Sequence, residues 1–82
     1  DFGASWCGPC KMMAPVFERA AADLEPECRL VKIDTEQCPG LSARYQIRSI
    51  PTLLLLKGGR EIARKAGAMD QASLIYWVRS HL

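Results

Sequence analysis

The chain has 82 residues, enough for one domain at most, of which 49% are hydrophobic and 24% charged. That balance excludes a disordered segment, and no apolar run approaches the roughly 20 residues that cross a bilayer. The net charge is +2, and Arg44, Arg48, Lys57, Arg60, Arg64 and Lys65 are spread over several predicted elements, which reads as ordinary solvated faces rather than a nucleic-acid patch.

Asp1-Phe2-Gly3-Ala4 carries neither the basic start nor the apolar stretch of a signal peptide. It reads as the close of an apolar strand whose earlier residues lie outside the chain. A helix is predicted from Gly8 to about Leu24. Met12, Met13, Val16, Phe17, Ala20, Ala21 and Leu24 follow the i, i+3, i+4 spacing of a buried face. Pro9 suits the first turn, where no backbone donor is needed. Pro15 is expected to kink the helix, and Pro26 to close it. Cys28 to Asp34 reads as a strand, and Pro39 opens a short helix to about Tyr45. Thr52 to Lys57 is a strand, Gly58-Gly59 a hairpin turn, and Arg60 to Ala66 the returning strand. Asp70 is placed to cap a last helix that runs to about His81, with Leu74, Ile75, Val78 and Leu82 facing inward. Strand, helix, strand at the start implies a parallel pair with a right-handed crossover. The hairpin adds antiparallel strands. The fold class is therefore α/β with a mixed sheet.

Trp6-Cys7-Gly8-Pro9-Cys10-Lys11 falls where the first strand turns into the first helix. Two residues separated by two others near a helix start share one face. Their Cα atoms then come within the span of a disulfide. Cys7 lies at the helix mouth, where unpaired N–H groups favour a thiolate. Cys10 is expected one turn deeper and less exposed. Cys7 is thus the expected attacking sulfur and Cys10 the one that resolves the mixed disulfide. Gly8 and Pro9 tune the pair, since Pro9 removes one N–H from the thiolate's surroundings. Half of a zinc site is the competing reading of Cys-x2-Cys. The other cysteines, Cys28 and Cys38, do not form a second such knuckle, and the one histidine, His81, is terminal. Cys28 and Cys38 read as small apolar fillers or, alternatively, as a second disulfide. Met12 and Met13 read as core.

This pattern resembles the thioredoxin family. The resemblance rests on the Trp6 to Lys11 motif. It also rests on Asp1-Phe2-x-Ala4, Met12-x-Ala14-Pro15, Lys32, Pro39-Gly40, Tyr45-x-Ile47-Arg48-Ser49-Ile50-Pro51-Thr52, Gly58 and Gly67-Ala68, all in family order. It covers residues 1–82 as one domain. It implies a three-layer sandwich of a mixed central sheet with flanking helices, N-terminally incomplete, with the family's first strand, first helix and most of the central strand missing. Ile47 to Thr52 is similar to the second bacterial thioredoxin type, whose N-terminal zinc ribbon is not in this chain. The resemblance also implies a cis-proline at Pro51 facing the redox pair. Trp6, Ile50, Pro51, Gly67 and Ala68 are then the substrate-binding surface. Taken alone, Trp6 could equally be ordinary core packing. Asp1 is implied as a buried acid that takes the proton of Cys10, with Lys32 nearby, although residue type alone places both on the surface. Gly3 departs from the family, which usually has a large aromatic there, and this is expected to loosen packing beside the redox helix.

The expected activity is reduction of protein disulfides by dithiol exchange, with no metal or organic cofactor. The expected setting is a cytoplasmic monomer that takes electrons from a thioredoxin reductase and serves many disulfide-containing proteins. Neither nucleic acid nor membrane is an expected partner. Two other readings stay open: an isomerase or oxidant of the same fold, and a non-catalytic binding module.

Overall fold

The computed structural model describes residues 1–82. Its elements are β1 (Phe2–Gly3), α1 (Gly8–Leu24), β2 (Ile33–Asp34), α2 (Pro39–Arg44), β3 (Thr52–Lys57), β4 (Arg60–Ala66) and α3 (Gln71–Arg79). The four strands form one sheet in the order β2-β1-β3-β4. β1 runs parallel to β2, with Phe2 opposite Ile33, and antiparallel to β3, with Phe2 opposite Thr52. β3 and β4 form the expected hairpin, with an irregularity between Leu55 and Leu56. Gly58 and Gly59 turn it at φ of +59° and +78°, a region that side chains disfavour. This is the mixed α/β architecture that the element order called for.

One side of the sheet carries the core. Met13, Phe17, Ala20 and Leu24 of α1 meet Leu53 and Leu55 of β3 and Leu74 and Val78 of α3. The α1 residues are spaced four, three and four apart, the repeat of one helical stripe. The β3 residues alternate, so both point the same way. α2 reaches the sheet through Tyr45, whose ring lies 6.2 Å from that of Phe2. α1 is one continuous helix with Pro15 inside it.

Three local expectations are corrected. Met12 is 75% exposed, whereas its neighbour Met13 is buried. Successive helical residues point about 100° apart, so the pair cannot share the core stripe. The strand expected over Cys28 to Asp34 is ordered as β2 only at Ile33 and Asp34. Backbone pairing runs only alongside Asp1 to Gly3, through bonds such as Ile33 N–H to the Asp1 carbonyl (2.8 Å) and Thr35 N–H to the Gly3 carbonyl (2.9 Å). An apolar pattern without a neighbouring strand does not make a ladder. α3 ends at Arg79, because Ser80 caps it, and Leu82 is 54% exposed rather than part of its inner face.

Candidate active site

The site is built where β1 turns into α1. Ala4 accepts the Cys7 N–H (3.2 Å), which closes a tight turn and sets Cys7 at the N-cap in an extended conformation. The Cys7 Sγ then accepts the Cys10 N–H at 3.2 Å, the bond that a cap side chain makes to the third helical residue. Pro9 stands at the second helical position and offers no N–H. The Cys10 amide is therefore the donor aimed at Cys7. Cys7 and Cys10 are joined as a disulfide, with Cα atoms 5.2 Å apart, inside the span that the spacing implied.

The burial of the two cysteine residues is the reverse of the expectation. Cys7 is only 5% exposed, while Cys10 is half-buried. Two neighbours account for this. The Ile50–Pro51 segment lies against Cys7, with the Ile50 carbonyl 3.9 Å from its Sγ. On the other side, Gly3 offers no side chain to cover Cys10. A Cβ built on Gly3 would stand 3.3 Å from both the Cβ and the Sγ of Cys10.

The surface around Cys7 is assembled by the loop before β3. The Ile50–Pro51 peptide is cis, as the resemblance implied, and Pro51 is buried. Below it the buried Thr52 donates its hydroxyl to the Ser49 carbonyl at 2.6 Å, which fixes the loop. Gly67 donates its N–H to the Pro51 carbonyl at 2.9 Å, with φ at +94°. Neither the N–H nor the C=O of Ile50 is taken by another backbone group. Trp6 is 67% exposed, so the core-packing reading does not hold, and its indole N–H donates to the Glu36 carboxylate. Gly8 and Pro9 are exposed beside Cys7, and Ala68 is exposed after Gly67. Glu36 was not singled out in the sequence, and no local pattern marks it.

Asp1 and Lys32 come together with Cys10, away from Cys7. The three share a cavity of about 300 Å³ with Gly3, Lys11 and Asp34. Asp1 is half-buried and its Oδ1 is fully buried without a hydrogen-bond partner, against the surface placement its residue type alone predicted. Lys32 itself is exposed.

Cys28 and Cys38 are unbonded thiols, so they form no second disulfide in this structure. Cys28 packs against the core, and burial, with Glu25 adding to it, pushes its thiol above the ordinary range. That is the inert filler role. Cys38 caps α2 without a side-chain hydrogen bond. No three His, Cys, Asp or Glu side chains are grouped so as to hold a metal ion. The Glu25–Pro26 peptide is also cis, which nothing in the sequence indicated.

Comparison with known proteins identifies the family. The thioredoxin family model matches residues 1–80. A thioredoxin-like protein of Synechocystis is 47% identical over 75 residues, which are 92% of this chain and 71% of that protein. A thioredoxin of Chlamydia trachomatis is 46% identical over 99% of this chain and 78% of its own length. A thioredoxin of Staphylococcus aureus is 42% identical over the whole chain and 79% of its own length. With a cysteine pair bridged at a helix mouth and a cis-proline set against it, the chain belongs to the thioredoxin family of protein-disulfide oxidoreductases.

Proposed function

We propose that the protein works as a reductant of protein disulfides, through Cys7 and Cys10. The observation that carries this reading is the Cys10 N–H aimed at the Cys7 sulfur at the end of a 17-residue helix. A hydrogen bond and a helix N-terminus both favour the anionic form of that sulfur. The Cys7 thiolate attacks one sulfur of a substrate disulfide, and the other substrate sulfur leaves as a thiolate. Cys10, giving its proton to Asp1, attacks the Cys7 sulfur of the mixed disulfide. The second substrate thiolate leaves, and Cys7–Cys10 closes.

Docking uses the free backbone of Ile50. An extended substrate segment pairs with it as a short added strand, flanked by Trp6, Pro51, Gly67 and Ala68. Such recognition reads main chain more than side chain, which suits many protein substrates. Gly8 and Pro9 hold the pair toward the reducing role, and Lys32 sets the field beside Asp1. No metal or organic cofactor enters the exchange. The electron donor is a thioredoxin reductase, and the setting is a reducing cytoplasm, with the protein acting as a monomer.

The deciding experiment is reduction of a protein disulfide with a thioredoxin reductase supplying the electrons. Wild type is expected to turn over and Cys7→Ser to fall to background. Equal behaviour of the two would leave only a binding module. Turnover of wild type solely as an oxidant of dithiols would favour the isomerase or oxidant reading.

A further inference from the structure

α2 stops at a position that glycine usually fills. Ile47 donates its N–H to the Ser42 carbonyl (2.9 Å) and Gln46 donates to the Ala43 carbonyl (3.0 Å), the paired bonds of a Schellman stop. The residue that turns the chain, Gln46, stands at φ +53°, a region that a Cβ disfavours. Two carbonyls at this stop, of Tyr45 and Gln46, are taken by one side chain from β4. Arg64 donates from Nη2 to the Tyr45 carbonyl (2.5 Å) and from Nη1 to the Gln46 carbonyl (3.4 Å). Its Nε and Nη2 also donate to the two carboxylate oxygens of Glu61, at 2.8 and 2.9 Å, which fixes the plane of the guanidinium. The planar fork of an arginine makes this set, whereas a lysine brings one compact charge. β4 therefore holds both ends of the loop that carries Ile50. At the far end Gly67 donates to the Pro51 carbonyl. At the near end Arg64 grips Tyr45 and Gln46.

We propose that Arg64 is a positioning residue for substrate docking: it fixes the near end of this loop and so sets the Ile50 backbone beside Cys7. The role rests on the strand pairing at Ile50 proposed above. Arg64 takes no part in the sulfur exchange itself. An exposed ion pair such as Glu61–Arg64 adds little to stability, so the weight of Arg64 lies in the loop it holds. Without it the loop drifts at one end, and an extended substrate pairs with Ile50 more weakly. Once a substrate sulfur has reached Cys7, the exchange runs as before.

The test compares wild type with Arg64→Leu and Arg64→Lys on two substrates. One is a disulfide-bridged synthetic peptide, and the other is bis(hydroxyethyl) disulfide, which has no main chain to pair. Arg64→Leu is expected to raise KM for the peptide about fivefold or more, with kcat within about twofold of wild type, the pattern of lost binding. Its rate with bis(hydroxyethyl) disulfide is expected to stay within about twofold, and Arg64→Lys to recover only part of the peptide KM. Amide exchange at Ile47 is expected to quicken about tenfold in Arg64→Leu, while Gly67 keeps its rate. Gln46→Gly added to Arg64→Leu removes the disfavoured φ and serves as the stability control. It is expected to restore Tm and leave the peptide KM raised. An unchanged peptide KM in Arg64→Leu overturns the proposal. So does equal slowing with both substrates, full recovery in Arg64→Lys, or a KM that returns together with Tm. A wild type that fails on the peptide, with Ile47 exchange still set by Arg64, counts against the strand-pairing reading alone. Peptide turnover with a KM indifferent to Arg64 counts against the positioning role alone.

Discussion

The two halves of one disulfide face different chemistry. On the Cys7 side the walls are backbone and apolar surface: the Ile50 carbonyl, the buried Pro51 and the exposed Trp6. On the Cys10 side they are a hollow with two lysines and two aspartates. The Cys7 side suits an extended chain that pairs through its main chain. The Cys10 side suits the proton transfer proposed above. A single helix turn separates them, so reactivity here depends on which neighbour each sulfur has, more than on its place along the chain.

The strongest way to break that comparison is to remove either sulfur. Cys7→Ser is expected to abolish turnover of protein disulfides, whereas Cys10→Ser is expected to accumulate a stable mixed disulfide with the substrate. Trapping and mass analysis check this, and equivalent behaviour would erase the division of labour. Next in size is Asp1→Asn on the Cys10 side. Resolution of the mixed disulfide is expected to slow roughly 100-fold at neutral pH, the low end of general-base contributions. The deficit is expected to shrink above about pH 9, where an ordinary thiol ionises unaided. Stopped-flow traces over that range decide it, and an unaltered rate at neutral pH removes Asp1 from the step.

Pro9→His sharpens the Cys7 side. It restores an N–H at the second helical position and adds a partly cationic ring. Both stabilise the thiolate, so the reduction potential is expected to rise by about 30 mV or more, a tenfold change in the exchange equilibrium. Equilibration against a defined thiol buffer measures it, and an unchanged or lower value counts against the cap geometry. The smallest effect is expected far from both sides, at Asp70. Its carboxylate accepts the Ser73 N–H at 2.7 Å, which holds it below the ordinary aspartate range. A depressed folded-state pKa stabilises above the unfolded value and is lost as pH falls through the folded one. Asp70→Ala is therefore expected to lower Tm slightly at neutral pH, with the gap closing below about pH 4. Reduction kinetics are expected to stay the same.

Much of this was legible from residue order. The bounds of α1 followed from the cysteine motif and the apolar stripe through Leu24. The β3–β4 hairpin followed from Gly58-Gly59 between two strand patterns. Asp70 announced its cap. What stayed hidden depends on contacts across the chain. The burial of Cys7 is caused by Ile50 and Pro51, more than forty residues away. The opening at Cys10 comes from a missing side chain, and Gly3 hinted at it only through its departure from the family pattern. β2 is ordered only at Ile33 and Asp34, the residues that Phe2 and Gly3 pair with. The Trp6 bond to Glu36 joins two residues with no shared local signal.

β4 closes one margin of the sheet, and every residue in it except Ala63 is exposed. Arg60, Glu61, Arg64 and Lys65 line it, with Glu61 and Arg64 paired at 2.8 Å. Rows of charge on a terminal strand discourage other chains from extending the sheet there. A protein that offers unpaired main chain to unfamiliar polypeptides runs the hazard of polymerising with them. On the function proposed above, the charged margin keeps such pairing away from β4, and a guest held at Ile50 departs once its sulfurs have been exchanged.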